Sequence, residues 1–290
     1  MELGRLGVWS WIDSFAGAEA GAFAKRVEDW GYGALWIPEA VGRDPFTAGA
    51  YMATHTQRLV LATGIASIYA RDAMAMRSGR DTLAEFSGGR FLLGLGVSHA
   101  PMVTGLRGHE YGKPVTTMRA YLDAMQKATY LGPAPPETPP VVIAALRPKM
   151  LALAAECAQG AHPYNVTPEH TARARKILGE GAWLCPEQKV LLETNAEKAR
   201  ALARKNLAIY LGLPNYRNNL LWLGFEDADF ADGGSDRLMD ALVAWGDADA
   251  IRERIQAHWD AGADHVCIQA LRLDGEQGAD ERCLELLAPA

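Results

Sequence analysis

The chain has 290 residues, 49% of them hydrophobic and 22% charged, enough to bury the substantial core of one large α/β domain. Its formal net charge of −6 argues against a general affinity for nucleic acid, which needs a basic face that this balance does not supply. Cys157, Cys185, Cys267 and Cys283 lie far apart with no CxxC pair, which points to reduced thiols in a cytosol and not to a zinc cluster or a disulfide framework. Nothing at the start resembles a signal peptide, and no apolar run approaches the ~20 residues of a membrane span, so a soluble cytoplasmic protein without a membrane partner is expected.

Leu3 to Trp11 reads as the first strand, with Gly4 and Gly7 allowing close packing. In the helix that follows from near Ala18, Ala20, Phe23, Val27 and Trp30 recur at spacings of three and four and make one buried stripe, with Glu19, Arg26 and Asp29 outside it. Gly31 ends that helix. Ala34 to Ile37 is the second strand, Pro38 to Pro45 its exit loop, and Phe46 to His55 another helix.

The stretch from Leu59 to Ser98 organises the chain. An apolar run from Leu59 to Ala66 is followed by a helix with Met74, Leu83 and Phe86 on its apolar side, a Ser87-Gly88-Gly89 stop, and a second apolar run from Phe91 to Val97. Short runs rich in Val, Ile and Leu suit strands buried on both faces, so the unit is strand, helix, parallel strand. Parallel strands of this kind carry functional loops at their C-terminal ends, here Gly64 to Arg71 and Gly94 to Pro101.

His99 to Pro114, polar and rich in Gly, reads as a long loop, and Met118, Tyr121, Leu122 and Met125 form the next helical stripe. The Pro-rich segment 132–140 is a surface link within one domain, because the strand-like Val141 to Leu146 resumes the rhythm at once. Pro148 to Cys157 is a helix, Ala161 to Val166 a short strand, and Thr167-Pro168-Glu169 opens a helix with an N-cap hydroxyl and Pro at the first position. Val190 to Glu193 is a strand, and Thr194 with Glu197 has capping-box spacing for a helix running to about Leu211. Leu213 to Gly234 breaks the rhythm with turn residues and aromatics. Asp247 caps a helix with Ile251, Ile255 and Trp259 on one side, His265 to Leu271 is the last strand, and Gln277 to Leu287 a closing helix. About eight strand-then-helix units without a repeated period predict a (β/α)₈ TIM barrel. It spans 1–290 as a single domain, with a loop insertion at about 99–115 and a lid-like insertion at about 213–234.

His99 follows directly on the run ending at Val97, so in a parallel barrel its imidazole stands at the catalytic mouth, where a near-neutral pKa suits proton transfer. A loop histidine bonded to its own turn is the plain alternative. Glu39 occupies the matching place after the second strand, with an ion pair to Arg43 or a helix cap as its plain alternative. His162-Pro163-Tyr164-Asn165-Val166-Thr167 before a capped helix is a candidate anion site, with Thr167 as hydroxyl donor and Arg147 or Lys149 near the previous strand end. Trp9, Trp36 and Tyr69 could line a groove, although most aromatics in such a chain are core. Other chemistries fit less well. There is no His-x-His pair and no HExxH, so no metal site is expected, and Gly94-x-Gly96-x-x-His99 lacks the third Gly of a dinucleotide fingerprint. A glycosidase wants two carboxylates at strand ends and a Schiff-base aldolase a lysine, for which Lys189 is only loosely placed.

The run LATGI, then ARD, a helix and GGRFLLGLGVSH closely resembles the luciferase-like monooxygenase superfamily, in particular its branch that uses the deazaflavin coenzyme F420. The opening WGYGALWI and the closing DAGADHVCI look like the same family, and the likeness covers nearly the whole chain. The resemblance implies a luciferase-like TIM barrel, a homodimer, and hydride transfer between F420 and a small or medium organic molecule. An FMN-dependent monooxygenase fed by a separate reductase, or a non-catalytic coenzyme-binding homologue, are the alternatives. It further implies His99 as proton donor or acceptor and Glu39 close to the coenzyme ring. Gly64, Ile65, Ala66, Trp9, Ala145, Arg147, His162, Tyr164 and Thr167 are then the coenzyme-binding residues. Gly64-Ile65 falls where this family often has a cis peptide bond in a bulge behind the ring. Pro38 and Ala40 depart from an Asp-His pair of some relatives, so no role that needs that histidine carries over. Tyr111, Tyr216, Asn218, Asn219 and Trp222 are expected as pocket walls.

Overall fold

Strand and helix alternate because short doubly buried runs and stripes of period 3.6 alternate along the chain, and the computed structural model, which describes residues 1–289, follows that rhythm. The first half comprises β1 (Leu6–Trp9), α1 (Gly17–Asp29), β2 (Ala34–Ile37), α2 (Pro45–Ala53), β3 (Val60–Thr63), β4 (Ala66–Ser67), α3 (Ala73–Phe86), β5 (Phe91–Gly96) and α4 (Pro114–Lys127). Then come β6 (Val141–Ile143), α5 (Pro148–Cys157), β7 (Gly160–Ala161), α6 (Pro168–Leu178), β8 (Trp183–Leu184), β9 (Glu187–Leu191), α7 (Ala196–Leu211) and α8 (Pro214–Leu223). The chain closes with α9 (Asp236–Leu242), β10 (Val243–Trp245), α10 (Ala248–Asp260), β11 (Val266–Ala270) and α11 (Glu281–Leu286).

Every strand pairing is parallel, in the order β10-β9-β11-β1-β2-β3-β5-β6-β7-β8, with β4 also on β5. The two ends of that path meet, because β8 and β9 are halves of one run broken only at Cys185-Pro186. On one flank the amides of Cys185 and Glu187 donate to Ala161 and Pro163, both at 2.9 Å; on the other, Asp264 and Cys267 donate to Leu184 and Pro186, both at 3.0 Å. The sheet is thereby closed into the expected barrel. Alternation then makes two apolar layers. Val8, Leu35, Leu61, Leu93, Ile143 and Ile268 pack outward against the helices, while Trp9, Ala34, Trp36, Ala62, Leu92, Val142 and Cys267 fill the interior.

Several elements differ from expectation for local reasons. Gly4, at φ 69°, holds the opening strand back to Leu6. On α3, Leu83 is buried as expected, but Met74 and Phe86 are exposed, and Met76, Asp81 and Ala84 complete the buried face. Asp81 tolerates burial because Arg80 and Arg77 pair with it at 2.7 and 3.3 Å. Residues 101–106 of the expected loop form a π-helical turn, tied to the β2 exit by Arg107, which donates to the Ala40 carbonyl at 3.2 Å. The strand expected from Ala161 to Val166 stops at Ala161, since Pro163 has no N–H to give and Asn165 turns left-handed at φ 56°. The strand expected at Val190 begins earlier, at Glu187, and Asn195 rather than Thr194 caps α7 by accepting from the Lys198 amide. Residues 213–234 fold as α8 followed by a 3₁₀ turn over Asp227–Gly233. Among the described residues no helix is long and apolar enough to cross a membrane.

Four histidines are packed away in neutral form. Burial pushes His162, His170 and His265 down to about 4 and His258 to about 3, from an ordinary 6.5. Because these folded-state values lie below the unfolded one, the unfolded chain binds protons that the folded chain refuses as pH falls from 6.5 toward 4. The histidine contribution to stability is therefore complete above 6.5 and lost on acidification, by on the order of 1 kcal/mol per histidine per pH unit. Urea midpoints compared at pH 7 and 5 should show the drop, and replacing His258 with the non-titrating Gln should lessen it by about one histidine's share of the four.

Candidate active site

The C-terminal ends of the barrel strands converge on one mouth, and the chain just after β3 forms its floor. Between β3 and β4 the Gly64–Ile65 peptide is cis, the departure from regular strand geometry that was expected there. Neighbouring strand exits hold it: Gly64 N–H donates to the Ile37 carbonyl at 2.7 Å, the Glu39 amide to the Ile65 carbonyl at 3.1 Å, and the Trp9 indole to the Gly64 carbonyl at 2.8 Å. A Cβ on Gly64 would lie 2.7 Å from Trp9 Nε1 and 3.3 Å from His162 Nε2, so only glycine fits between these rings.

From this floor an aromatic wall runs around the mouth. Trp9 packs on Tyr164 with ring centroids 5.1 Å apart, Tyr164 on Tyr216 at 6.4 Å, and Tyr216 on His99 at 5.6 Å. His162 stacks on Trp36 at 4.5 Å and holds the Cys185 carbonyl through Nδ1 at 2.7 Å, which leaves its Nε2 as a lone pair without a partner among the described residues. Burial lowers the His99 pKa, with the Asn215 side chain opposing, so its ring is neutral and able to accept a proton at neutral pH. Tyr69 and Tyr111 bound the segment after β5, where Tyr69 accepts from the Gly112 amide at 3.1 Å and Tyr111 donates to the Ser98 carbonyl at 3.3 Å.

The other expected residues have different surroundings. Glu39 is paired with Arg71 and not Arg43: its carboxylate takes both guanidinium N–H groups at 2.7 and 3.0 Å and the Ser67 amide at 2.7 Å. That carboxylate braces the floor from behind. Thr167 caps α6 by accepting the His170 amide at 3.4 Å, and Arg147 is exposed at the N-cap of α5, two residues beyond the buried Ala145. Ala66 is fully buried in β4.

Sequence reasoning missed the polar side of the interior. Glu187 and Lys189 point inward from β9 and pair at 3.2 Å with both side chains wholly buried, and Gln269 of β11 accepts from the Tyr164 hydroxyl at 2.9 Å. The triplet Glu187-Gln188-Lys189 hides a strand from a hydrophobicity reading. Its only signal was position, directly before the apolar Val190-Leu191.

The luciferase-like monooxygenase family profile matches residues 4–265. A Mycobacterium tuberculosis protein whose name proposes a coenzyme F420-dependent oxidoreductase is 30% identical, with 73% of each chain covered. The coenzyme F420-dependent tetrahydromethanopterin reductase of Methanopyrus kandleri superposes with a TM-score of 0.77 at 19% identity, over 98% of this chain and 97% of its own. An F420-dependent secondary alcohol dehydrogenase, solved with an F420–acetone adduct, gives 0.74 at 12% identity, over 99% and 97%. The chain belongs to the luciferase-like monooxygenase family, and its fold is the barrel those structures share.

Two substitutions separate the floor from its brace. Gly64→Ala should displace the Trp9 indole and cost about 1–3 kcal/mol, read as a lower urea midpoint together with a shift in tryptophan emission. Glu39→Ala leaves Arg71, whose side chain is 17% exposed, with Asp44 at 2.7 Å as its remaining carboxylate and takes the acceptor from the Ser67 amide, and should cost about 1–3 kcal/mol, whereas a solvent-screened pair would cost less than about 1.

Proposed function

We propose that the chain is an F420-dependent oxidoreductase that moves a hydride between the coenzyme and a small or medium organic substrate at the barrel mouth. The observation that carries this reading is the continuous wall from Gly64 through Trp9, Tyr164 and Tyr216 to His99, in a family whose members include proteins named for F420.

The residues present suit a flat heteroaromatic ring with a polar edge. Trp9 and Tyr164 offer ring faces, and Gly64 offers backbone without a side chain, while the Ile65 side chain packs toward Gly94 and Gly96 of β5. Asn165 and Asn219, both buried, have amide oxygens and nitrogens with no partner among the described residues, and so does Nε2 of His162. Buried groups of this kind cost about 1–3 kcal/mol each unless something completes them, and amides can both donate to and accept from a ring edge bearing carbonyl and N–H groups. In a deazaflavin, carbon replaces the nitrogen that flavins use in oxygen chemistry, so the bound ring supplies hydride transfer. Around it the chain's groups have separate tasks. Neutral His99 holds or takes the substrate proton, and Glu39 keeps Ser67 and Arg71 in place behind the floor. Ala145 would border the ring, while Thr167 and Arg147, at the N-termini of α6 and α5, would hold a phosphate.

Titrating the protein with F420 should quench the ring fluorescence at micromolar concentration, with FMN at least about tenfold weaker, a margin of about 1.4 kcal/mol. No F420 binding at tens of micromolar overturns the reading, and tighter binding of FMN replaces it with the monooxygenase alternative. His99→Ala should retain binding and lose turnover by at least about a hundredfold, the usual size of a lost acid–base catalyst. Coenzyme binding without turnover of any alcohol, aldehyde, imine or enone would leave the non-catalytic homologue.

A further inference from the structure

Glu187 and Lys189 lie on the inward face of β9, two residues apart, with side chains wholly buried. One Glu187 oxygen accepts from Lys189 Nζ at 3.2 Å and the other from the Asn165 amide at 3.1 Å. The Lys189 ammonium stands 3.8 Å from the centroid of the Tyr164 ring and 5.3 Å from that of Tyr210. The Tyr164 hydroxyl donates to Gln269 Oε1 at 2.9 Å and lies 3.2 Å from the Tyr210 hydroxyl. Tyr164 and Tyr210 are both half-buried, and Tyr164 packs on Trp9 at 5.1 Å, which joins this cluster to the floor at Gly64.

Such a pair is a poor way to hold a barrel together. Desolvation costs several kcal/mol per ion, and apolar residues of similar volume are often as good or better. Burial works against both charges, pushing the Glu187 carboxyl up and the Lys189 amine down, while each partner's charge opposes the shift of the other. β1, β2, β3, β5 and β6 fill their inward positions with Trp, Ala, Val and Leu, so packing alone did not require charges here. The pair occupies the first and third positions of β9, level with the exit of β7 because Glu187 holds the Asn165 backbone N–H, and lies against the ring of a tyrosine in the mouth wall, which ties it to that site.

We propose that Lys189, held by Glu187, is a positioning residue acting through Tyr164: its ammonium on the ring face strengthens the Tyr164 hydroxyl as a hydrogen-bond donor to an oxygen of the coenzyme ring, so that the site favours the reduced ring over the oxidised one. The inference rests on the F420 reading above. A cation on the face draws electron density from the phenol and makes its O–H the better donor. Gain of a hydride adds two electrons with one proton, leaving the reduced ring one charge more negative until a second proton follows, so its edge oxygen is the better acceptor and gains more from that donor. When the hydroxyl proton turns to the ring, Gln269 can present its NH₂ to the phenol oxygen in place of its carbonyl. Tyr164 then stays partnered in both states.

Dissociation constants of oxidised and reduced F420, measured by fluorescence and absorbance titration, test this directly. Wild-type protein should bind the reduced form about tenfold or more tighter, and Lys189→Met or Tyr164→Phe should each reduce that ratio by about tenfold, the worth of one charge-assisted hydrogen bond. The two substitutions together should do no more than either alone, and Lys189→Arg should keep most of the preference. If Lys189→Met does not fold, Glu187→Gln with Lys189→Met removes both charges together and gives the same comparison. Equal weakening of both forms, with the wild-type ratio kept, would mean a merely structural pair and overturn the proposal. Wild-type protein that binds both forms equally would overturn it as well, with the F420 reading intact; wild-type protein that binds neither removes that reading and the proposal together.

Discussion

The run from Trp183 to Leu191 is the constraint on which the rest of the molecule depends. It pairs with β7 along one flank and with β11 along the other, and so turns an open parallel sheet into a barrel. Closure gives every strand an inside as well as an outside, and it draws the C-terminal ends of β1, β3, β5, β7, β9 and β11 around a common centre. The break at Cys185-Pro186 is tolerated because proline gives up one ladder donor while its carbonyl still accepts from the Cys267 amide. Beyond the break, β10 takes up the flank that β7 leaves, pairing Val243 with Lys189.

Two kinds of interior follow from closure. The layer between sheet and helices is aliphatic and held by ordinary burial of Leu, Val and Ile. The space inside the barrel is mixed, with Trp36 donating to His265 at 3.0 Å and stacking on His162, and with Glu187, Lys189 and Gln269 above them. Polar groups in a low-dielectric space are costly unless partnered, and most of these are partnered by one another. The exceptions, His162 Nε2 and the amides of Asn165 and Asn219, lie on the exit of β7 and on α8, elements whose tyrosines wall the mouth.

The functional half of the barrel is also braced from outside the site. Glu39 and Arg71 join the exits of β2 and β4, Tyr121 of α4 donates to the Arg71 and Asp72 carbonyls, and the turn at 101–106 is tied back to Ala40. Each contact is modest. Together they link exit loops that lie far apart in sequence, and precise placement at a reacting centre demands such support.

Legible in the sequence were the barrel rhythm, the doubly buried strands β2, β3 and β5, the helix stopped at Ser87-Gly88-Gly89, the helix from Pro148 to Cys157, the helix opened by Thr167-Pro168, and the special backbone at Gly64-Ile65. Those features were legible because each is local: apolar runs, helical stripes, cap residues and glycines act over a few neighbours, and a family motif added the bulge. Tertiary structure alone decided that Glu39 pairs with Arg71, that α3 turns Met76 inward and Met74 out, and that Glu187, Lys189, Tyr164, Tyr210 and Gln269 form one cluster. The physical reason is the same in each case. A polar strand such as Glu187-Gln188-Lys189 reads as solvent-facing until a barrel closes around it, and a partner 32 residues away, as Arg71 is from Glu39, is chosen by the three-dimensional convergence of strand ends, which no local pattern encodes.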